Sequence, residues 1–367
     1  MVIEQIKHIL SSHQELRAMI EQSLLLAKRA NPDRGTNPVQ SLEEWYVYIT
    51  AFLHRMPWES LQLSEDASFF HRIDQGIGYF YFLLDQPLEA LKDRGYWYPS
   101  LQYEPTIANW LAAYNTAWGE WLSSSDSWQE AYYQLARTDN RFELDTARYE
   151  SPEHWHSWND FFARRLRTPL AVPHCGFVSP CDGVLMDMPV KTTSMDELSD
   201  LLAGSTYQDT FVGGKAIHWV LDVFDYHRFH APCAGEVIEC RTIGGIHAGG
   251  GVIIWDAEQY RYRYAQLAST GFQSLETRGV LIMDTPEYGR IALVAVGIQQ
   301  VSSVVWNEAI RVGTKIEQGQ ELGFFQFGGS DILLLFEAGR GIYTANNKPM
   351  KVGDRLITDH RKLTTEN

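Results

Sequence analysis

The stretch FQFGGSDILLLFEAG, residues 325–339, is the tightest constraint on how this chain folds. Ile332 to Phe336 are consecutive apolar residues with no polar alternation, which predicts a buried strand rather than a surface one. Directly before the run stand Gly328, Gly329 and Ser330. Two readings fit that break. Paired glycines make a tight turn and the strand follows. Alternatively, the Gly329–Ser330 bond is itself a group that reacts.

The strand does not stand alone. From about Phe177 onward, short β-rich runs punctuated by glycine recur: GEVIECRTIGG, GVIIW and RIALVAVGI. The earlier part of the chain reads differently. Residues 2–29 carry apolar positions at helical spacing until NPDRGTNP breaks the pattern, and Ser41 with Glu44 has the spacing of a capping box before WYVYITAFLH. Further amphipathic helices are predicted at DASFFHRIDQGIGYFYFLL, TIANWLAAYNTAWGEWL and SWQEAYYQLAR. Nine of the 12 tryptophans precede residue 160, which predicts an aromatic helical core more readily than a ligand cage. The bridge RYESPEHWHSWNDFFARRLRTPL has prolines near both ends and one more helix. A chain of 367 residues has room for two domains. The expected class is α+β, with a helical domain over residues 1–149 and a β-rich domain over 150–367.

The formal charge of −15 disfavours nucleic acid and anionic lipid surfaces as electrostatic partners. No segment has the apolar length that spans a bilayer, and MVIEQIKHILSSHQELRAMIEQ lacks the apolar centre of a signal peptide. Cys175, Cys181, Cys233 and Cys240 form no CxxC pair and read as reduced thiols. Together these features predict a soluble cytoplasmic protein.

Three constellations carry possible chemistry. SPCDG places Asp182 in a turn, DYHRFHAPCAGEV places His227 and His230 three residues apart, and the glycine break presents Ser330. Asp, His and Ser are the parts of a nucleophile-activating triad. The run His227, His230, Cys233 also has the form H-x-x-H-x-x-C, which suggests zinc. Residues three apart on a strand point to opposite faces, so no metal is expected.

These landmarks, with RIALVAVGIQQVSSVVW, KIEQGQELGFFQFGGSDILLLFEAG and the lead-in WNDFFARRLRTPL, resemble the phosphatidylserine decarboxylase family in the family's own order, over about residues 150–340. The helical first half is similar to the N-terminal extension of soluble members, among them fungal tryptophan decarboxylases. The resemblance implies a proenzyme that cuts itself between Gly329 and Ser330, turning Ser330 into a covalent pyruvoyl cofactor. It further implies that Gly328 and Gly329 expose the carbonyl, that His230 takes the serine proton and that Asp182 orients that histidine. His227 is implied as the proton donor after a Schiff base to the substrate amine has lost carbon dioxide. One departure stands out: the family's Leu-Gly-Ser-Thr is Gly-Gly-Ser-Asp here, so Asp331 sets a carboxylate beside the future cofactor, where it would repel an acidic substrate or tune proton transfer.

The expected substrate is a free L-amino acid, an aromatic one such as tryptophan being favoured, with the phosphatidylserine headgroup as the alternative and peripheral membrane contact or an oligomer left open. YRYRYAQL alternates tyrosines with Arg261 and Arg263, most simply a solvated arginine face. HAPCAGEVIEC and VGTKIEQGQELG also resemble the hinge turns of barrel-sandwich folds. A non-enzymatic barrel-sandwich binding module, or an uncleaved inactive relative, is therefore the competing class. A pyridoxal enzyme is not expected, because the β-rich half offers no pattern for a Schiff-base lysine.

Overall fold

The computed structural model describes residues 1–172, 176–186, 194–265, 271–300, 302–340 and 348–356. Helices α1 (Val2–Ser12), α2 (Gln14–Ala30), α3 (Leu42–Phe52), α4 (Phe69–Phe82), α5 (Pro105–Leu122), α6 (Glu130–Thr138) and α7 (Trp158–Phe162) build the first part. Ser41 caps α3, its hydroxyl accepting the Glu44 N–H at 3.2 Å. Glu44 returns its carboxylate to the Gln40 N–H rather than to that of Ser41, so only half of the expected capping box forms. The aromatic residues are core, as their spacing predicts. Trp45, Trp110, Trp118 and Trp158 are fully buried, with Trp45 and Trp110 ring centroids 5.5 Å apart.

The β-rich part follows. Its strands are β1 (Phe177–Val178), β2 (Gly183–Leu185), β3 (Lys215–Leu221), β4 (Arg228–His230), β5 (Gly235–Ile243), β6 (Ile253–Asp256) and β7 (Arg261–Tyr264). After these come β8 (Thr277–Thr285), β9 (Gly289–Ile298), β10 (Val305–Trp306), β11 (Lys315–Ile316), β12 (Glu321–Phe324), β13 (Gly329–Phe336), β14 (Lys348–Met350) and β15 (Arg355–Leu356). An antiparallel sheet runs in the order β11-β5-β8-β9-β13-β3-β2-β14, and a smaller one in the order β10-β12-β4.

The apolar run at Ile332–Phe336 is explained by its place in the larger sheet. Strand β13 lies between β9 and β3, and both of its faces are covered. Ile332, Leu334 and Phe336 enter a core shared with Phe229 of β4 and Leu322 of β12, so the two sheets sandwich that core. Leu333 and Leu335 face the other way, against Leu198 and Leu201 of helix α8 (Met195–Leu201).

The helical core also reaches into the β-rich part, taking in Ile253, Tyr262 and Phe327. Tyr262 is 2% exposed, and its hydroxyl donates to the Thr36 carbonyl at 2.8 Å. Of the two arginines in YRYRY, Arg261 is exposed, whereas Arg263 pairs with Asp256 at 2.6 Å across the β6–β7 hairpin. Among the described residues, no helix is long and apolar enough to cross a membrane.

Candidate active site

Ser330 is the second residue of β13, paired with Leu221 on one side and Gly297 on the other. It is 1% exposed, and its Oγ has no hydrogen-bond partner among the described residues. A buried hydroxyl is costly to leave unpaired, so such an atom asks for a chemical reason. The two glycines serve different ends. Gly328 has φ of 153°, a conformation that side-chain-bearing residues rarely adopt. Gly329 is required by close approach, since a Cβ there would lie 2.6 Å from Ile298 Cγ1.

Gly329, Ser330 and Asp331 line a cavity of about 490 Å³. Its apolar walls come from both parts of the chain: Phe70 and Ile77 of α4 and Trp97 on one side, Ile298 and Phe272 on the other. Trp97 is thus the exception to the core reading of the tryptophans. Beside His218 and Tyr264, the ionisable lining is carboxylates, Asp74, Asp222, Glu197 and Asp331, with no lysine or arginine among the described residues. Burial raises the carboxyls of Asp74 and Asp222 above the ordinary carboxylate range.

One wall is the glycine loop at 249–251, and the helical part clamps it. Gln102 accepts the Gly249 N–H at 2.7 Å and donates to the Gly251 carbonyl at 3.0 Å, which Tyr103 Oη also reaches. Asp85 accepts the Ile253 N–H at 2.7 Å and is hydrogen-bonded by Gln102 and Ser100.

The two histidines are in unlike settings. His227 Nδ1 bonds the Asp225 carbonyl at 2.9 Å, while its buried Nε2 has no partner among the described residues. Its ring stacks on Phe162 at 3.8 Å, and Phe162 packs on Phe327, three residues before Ser330. Burial, then the charge of Arg164, pushes the His227 imidazole down to about 3. It is therefore neutral near pH 7. His230 has both nitrogens engaged, Nδ1 with the Gly319 carbonyl at 2.8 Å and Nε2 with Tyr226 Oη at 3.0 Å. It lines a separate cavity with Arg165, Arg167 and Glu317.

Asp182 is fully buried, and its Oδ1 takes Arg148 at 2.6 Å and the Val352 N–H at 2.9 Å. Burial opposes its ionisation, but the Arg148 hydrogen bond and the Arg148 and Lys351 charges outweigh it and hold the carboxyl below its usual range. Among the described residues, then, Asp182, His230 and Ser330 are not joined by hydrogen bonds.

A different pair stands at the cavity. His218 Nε2 lies 2.8 Å from Asp331 Oδ2, and Gln273 Nε2 donates to the same oxygen at 3.3 Å. Sequence reasoning singled out Asp331 but missed His218. Its only signal was a lone histidine in the β-type run KAIHWVL, 113 positions before Asp331.

Cys181 and Cys233 are buried and Cys240 is half-buried, all as free thiols. Burial raises the first two, Cys233 to about 12. Cys175 lies outside the described residues. Among those described, no three His, Cys, Asp or Glu side chains are grouped to hold a metal ion.

A serine near the start of a central strand, after two glycines and lining a cavity, defines a site built into the backbone itself. The phosphatidylserine decarboxylase family model matches residues 158–358, more than half of the chain. The chain belongs to that family. It is 30% identical over 205 residues to the phosphatidylserine decarboxylase proenzyme of Chlamydia muridarum, a match covering 52% of this chain and 62% of that protein. It is 27% identical over 241 residues to the proenzyme of Fusobacterium nucleatum, covering 60% and 73% respectively. Phosphatidylserine decarboxylase proenzyme 2 of Oryza sativa is 26% identical over 236 residues, covering 60% of this chain and 35% of that protein. The chain thus spans less than two thirds of the chlamydial relative, and helices α1 to α6 lie outside the family match.

Proposed function

We propose that this protein is a self-processing, pyruvoyl-dependent decarboxylase acting on a free L-amino acid, with residues 150–367 carrying the reaction. The single observation that carries the reading is Ser330 Oγ, buried without a partner beside a glycine carbonyl at the edge of a cavity. Those residues fit the implied group. It would form from Ser330 itself when the hydroxyl attacks the Gly329 carbonyl, and glycine at 328 and 329 lets the backbone meet that attack. Once formed, the group supplies a ketone that takes up a substrate amine and draws off the electrons left by departing carbon dioxide.

The resemblance gives the proton-accepting role to His230; we assign it instead to His227, whose Nε2 is buried without a partner among the described residues. His227 Nε2 is already vacant, whereas His230 would first have to give up Tyr226. Asp182, His230 and Arg148 then act as positioning groups around the histidine segment, with the His230 N–H held by the Pro180 carbonyl at 2.7 Å.

The cavity supports an amino acid with an apolar or aromatic side chain. Phe70, Trp97 and Phe272 supply ring surface, and a phosphodiester would meet carboxylates and no lysine or arginine among the described lining residues. The second reading, phosphatidylserine as substrate, is favoured by the names of the relatives.

The test is the intact mass of the purified protein beside Ser330→Ala. By proportion of length, cutting yields fragments of about 38 and about 4 kDa, the smaller one carrying a ketone. An uncut wild type overturns the enzyme reading. Amine formation from L-tryptophan, set against phosphatidylserine vesicles, decides the substrate.

A further inference from the structure

We infer that His218, held by Asp331, is the acid that returns a proton to the substrate carbon when carbon dioxide leaves. The inference rests on the proposed decarboxylase reading and assigns a residue within it.

Register sets the geometry. His218 of β3 lies directly opposite Leu333 of β13, and Asp331 is two residues along on the same face. Both side chains are buried, both line the cavity, and they meet at 2.8 Å. Asp331 follows Ser330 directly in the chain, so the pair is fixed one residue from the carbon that would become the ketone.

The bond to Asp331 dictates which nitrogen works. With the carboxylate accepting from Nε2–H, the orientation of the ring is set and Nδ1 is left as the working atom. Nδ1 has no hydrogen-bond partner among the described residues.

His227, the donor that the resemblance implies, is poorly suited to this step. It is stacked on Phe162 and uncharged near pH 7, and its Nδ1 is held by the Asp225 carbonyl, so Nε2 has no proton to deliver. His218 fills the gap. The C–CO2 bond breaks, its electron pair passes to the ketone-derived group, and a new C–H bond forms at the same carbon with the proton from His218 Nδ1. Solvent then reprotonates the ring.

A missing donor has its own signature. The electron pair is then protonated at the residue-330 carbon, and hydrolysis leaves an amine on the protein and an aldehyde in solution.

The experiment compares wild type with His218→Gln, which keeps a donor to Asp331. The first readout is self-cleavage by intact mass. The second is loading of L-tryptophan, or of phosphatidylserine if wild type turns that over, trapped by cyanoborohydride as a mass adduct. The third is the mass of the small fragment after turnover. Expected are normal cutting, normal loading, amine formation reduced at least about a hundredfold, and a fragment whose ketone has become an amine. If His218→Gln forms amine within about threefold of wild type and keeps its ketone, or if it is not cut, the inference fails. Should His218→Gln be insoluble, Asp331→Asn is read the same way, with a fall of about tenfold or more and the same ketone loss expected; an unchanged product overturns the inference. An uncut wild type would instead sink the parent reading.

Discussion

Asn159 Oδ1 accepts the backbone N–H of Phe327 at 3.0 Å, tying helix α7 to the turn three residues before Ser330. Its amide nitrogen is held in turn by Ser123 Oγ at 2.8 Å. Asn159→Leu would leave the Phe327 N–H buried without an acceptor, at a cost of about 1–3 kcal/mol. We expect a lower melting temperature and slower self-cleavage, followed as the fraction of small fragment against time after synthesis. Asn159→Asp restores the acceptor and should recover part of the cutting rate.

The two histidines should separate cleanly. His227→Gln is expected to stay uncut, because the unpartnered nitrogen proposed to take the Ser330 proton is gone. His230→Gln should be less stable, having lost its arrangement with Tyr226 and Gly319, yet still be cut. Intact masses after prolonged incubation read both. The opposite pattern would return the proton-accepting role to His230.

Gly329 is set against Ile298, so Gly329→Ala forces a methyl within 2.6 Å of Cγ1 and 2.7 Å of Cδ1. Overpacking of this kind costs about 1–3 kcal/mol. Because Ile298 also lines the cavity, the variant should cut slowly and bind substrate weakly. Adding Ile298→Val removes Cδ1 and should restore part of the rate. An unaltered cutting time course in Gly329→Ala alone would show that the strand shifts freely.

Burial, reinforced by Asp182, raises the Asp225 carboxyl to about 7, against about 3.9 in an unfolded chain. Below about pH 4 the group is neutral in both states. As pH rises towards 7, only the unfolded chain releases the proton, so this residue's contribution to stability is lost progressively over that window. Asp225→Asn keeps an oxygen for the Asp222 N–H, which Asp225 accepts at 2.9 Å, and removes the titration. Its melting temperature relative to wild type should climb between pH 4 and pH 7 and level off above that, by a few degrees in all. A difference that is flat with pH would place the Asp225 titration elsewhere.

Local pattern made much of this legible. The apolar run at Ile332–Phe336 reads as a doubly buried strand because no residue in it can face water, and the amphipathic stretches read as helices because their apolar positions recur at the period of a turn. The glycine break and Ser330 were visible for the same reason, being adjacent in the chain. What was hidden is what tertiary pairing creates. Asp331 was conspicuous, but only the β3–β13 register brings His218 to it. Asp182 was conspicuous too, yet nothing near it in the chain announces Arg148, which arrives from the helical side. Likewise Gln102 and Asp85 look like ordinary polar residues until the loop they hold is seen.

The position of β13 has a consequence for the life of the molecule. A cut at residue 329 would leave the new end between two full hydrogen-bonded ladders, to β9 and to β3. The smaller piece would stay in place as an inlaid strand, unable to depart without opening the sheet at its centre. Maturation would then convert a chain that can refold by itself into two that must find each other again. Heat or denaturant that once unfolded it reversibly would scatter its parts, and the finished catalyst would owe its persistence to the height of its unfolding barrier alone.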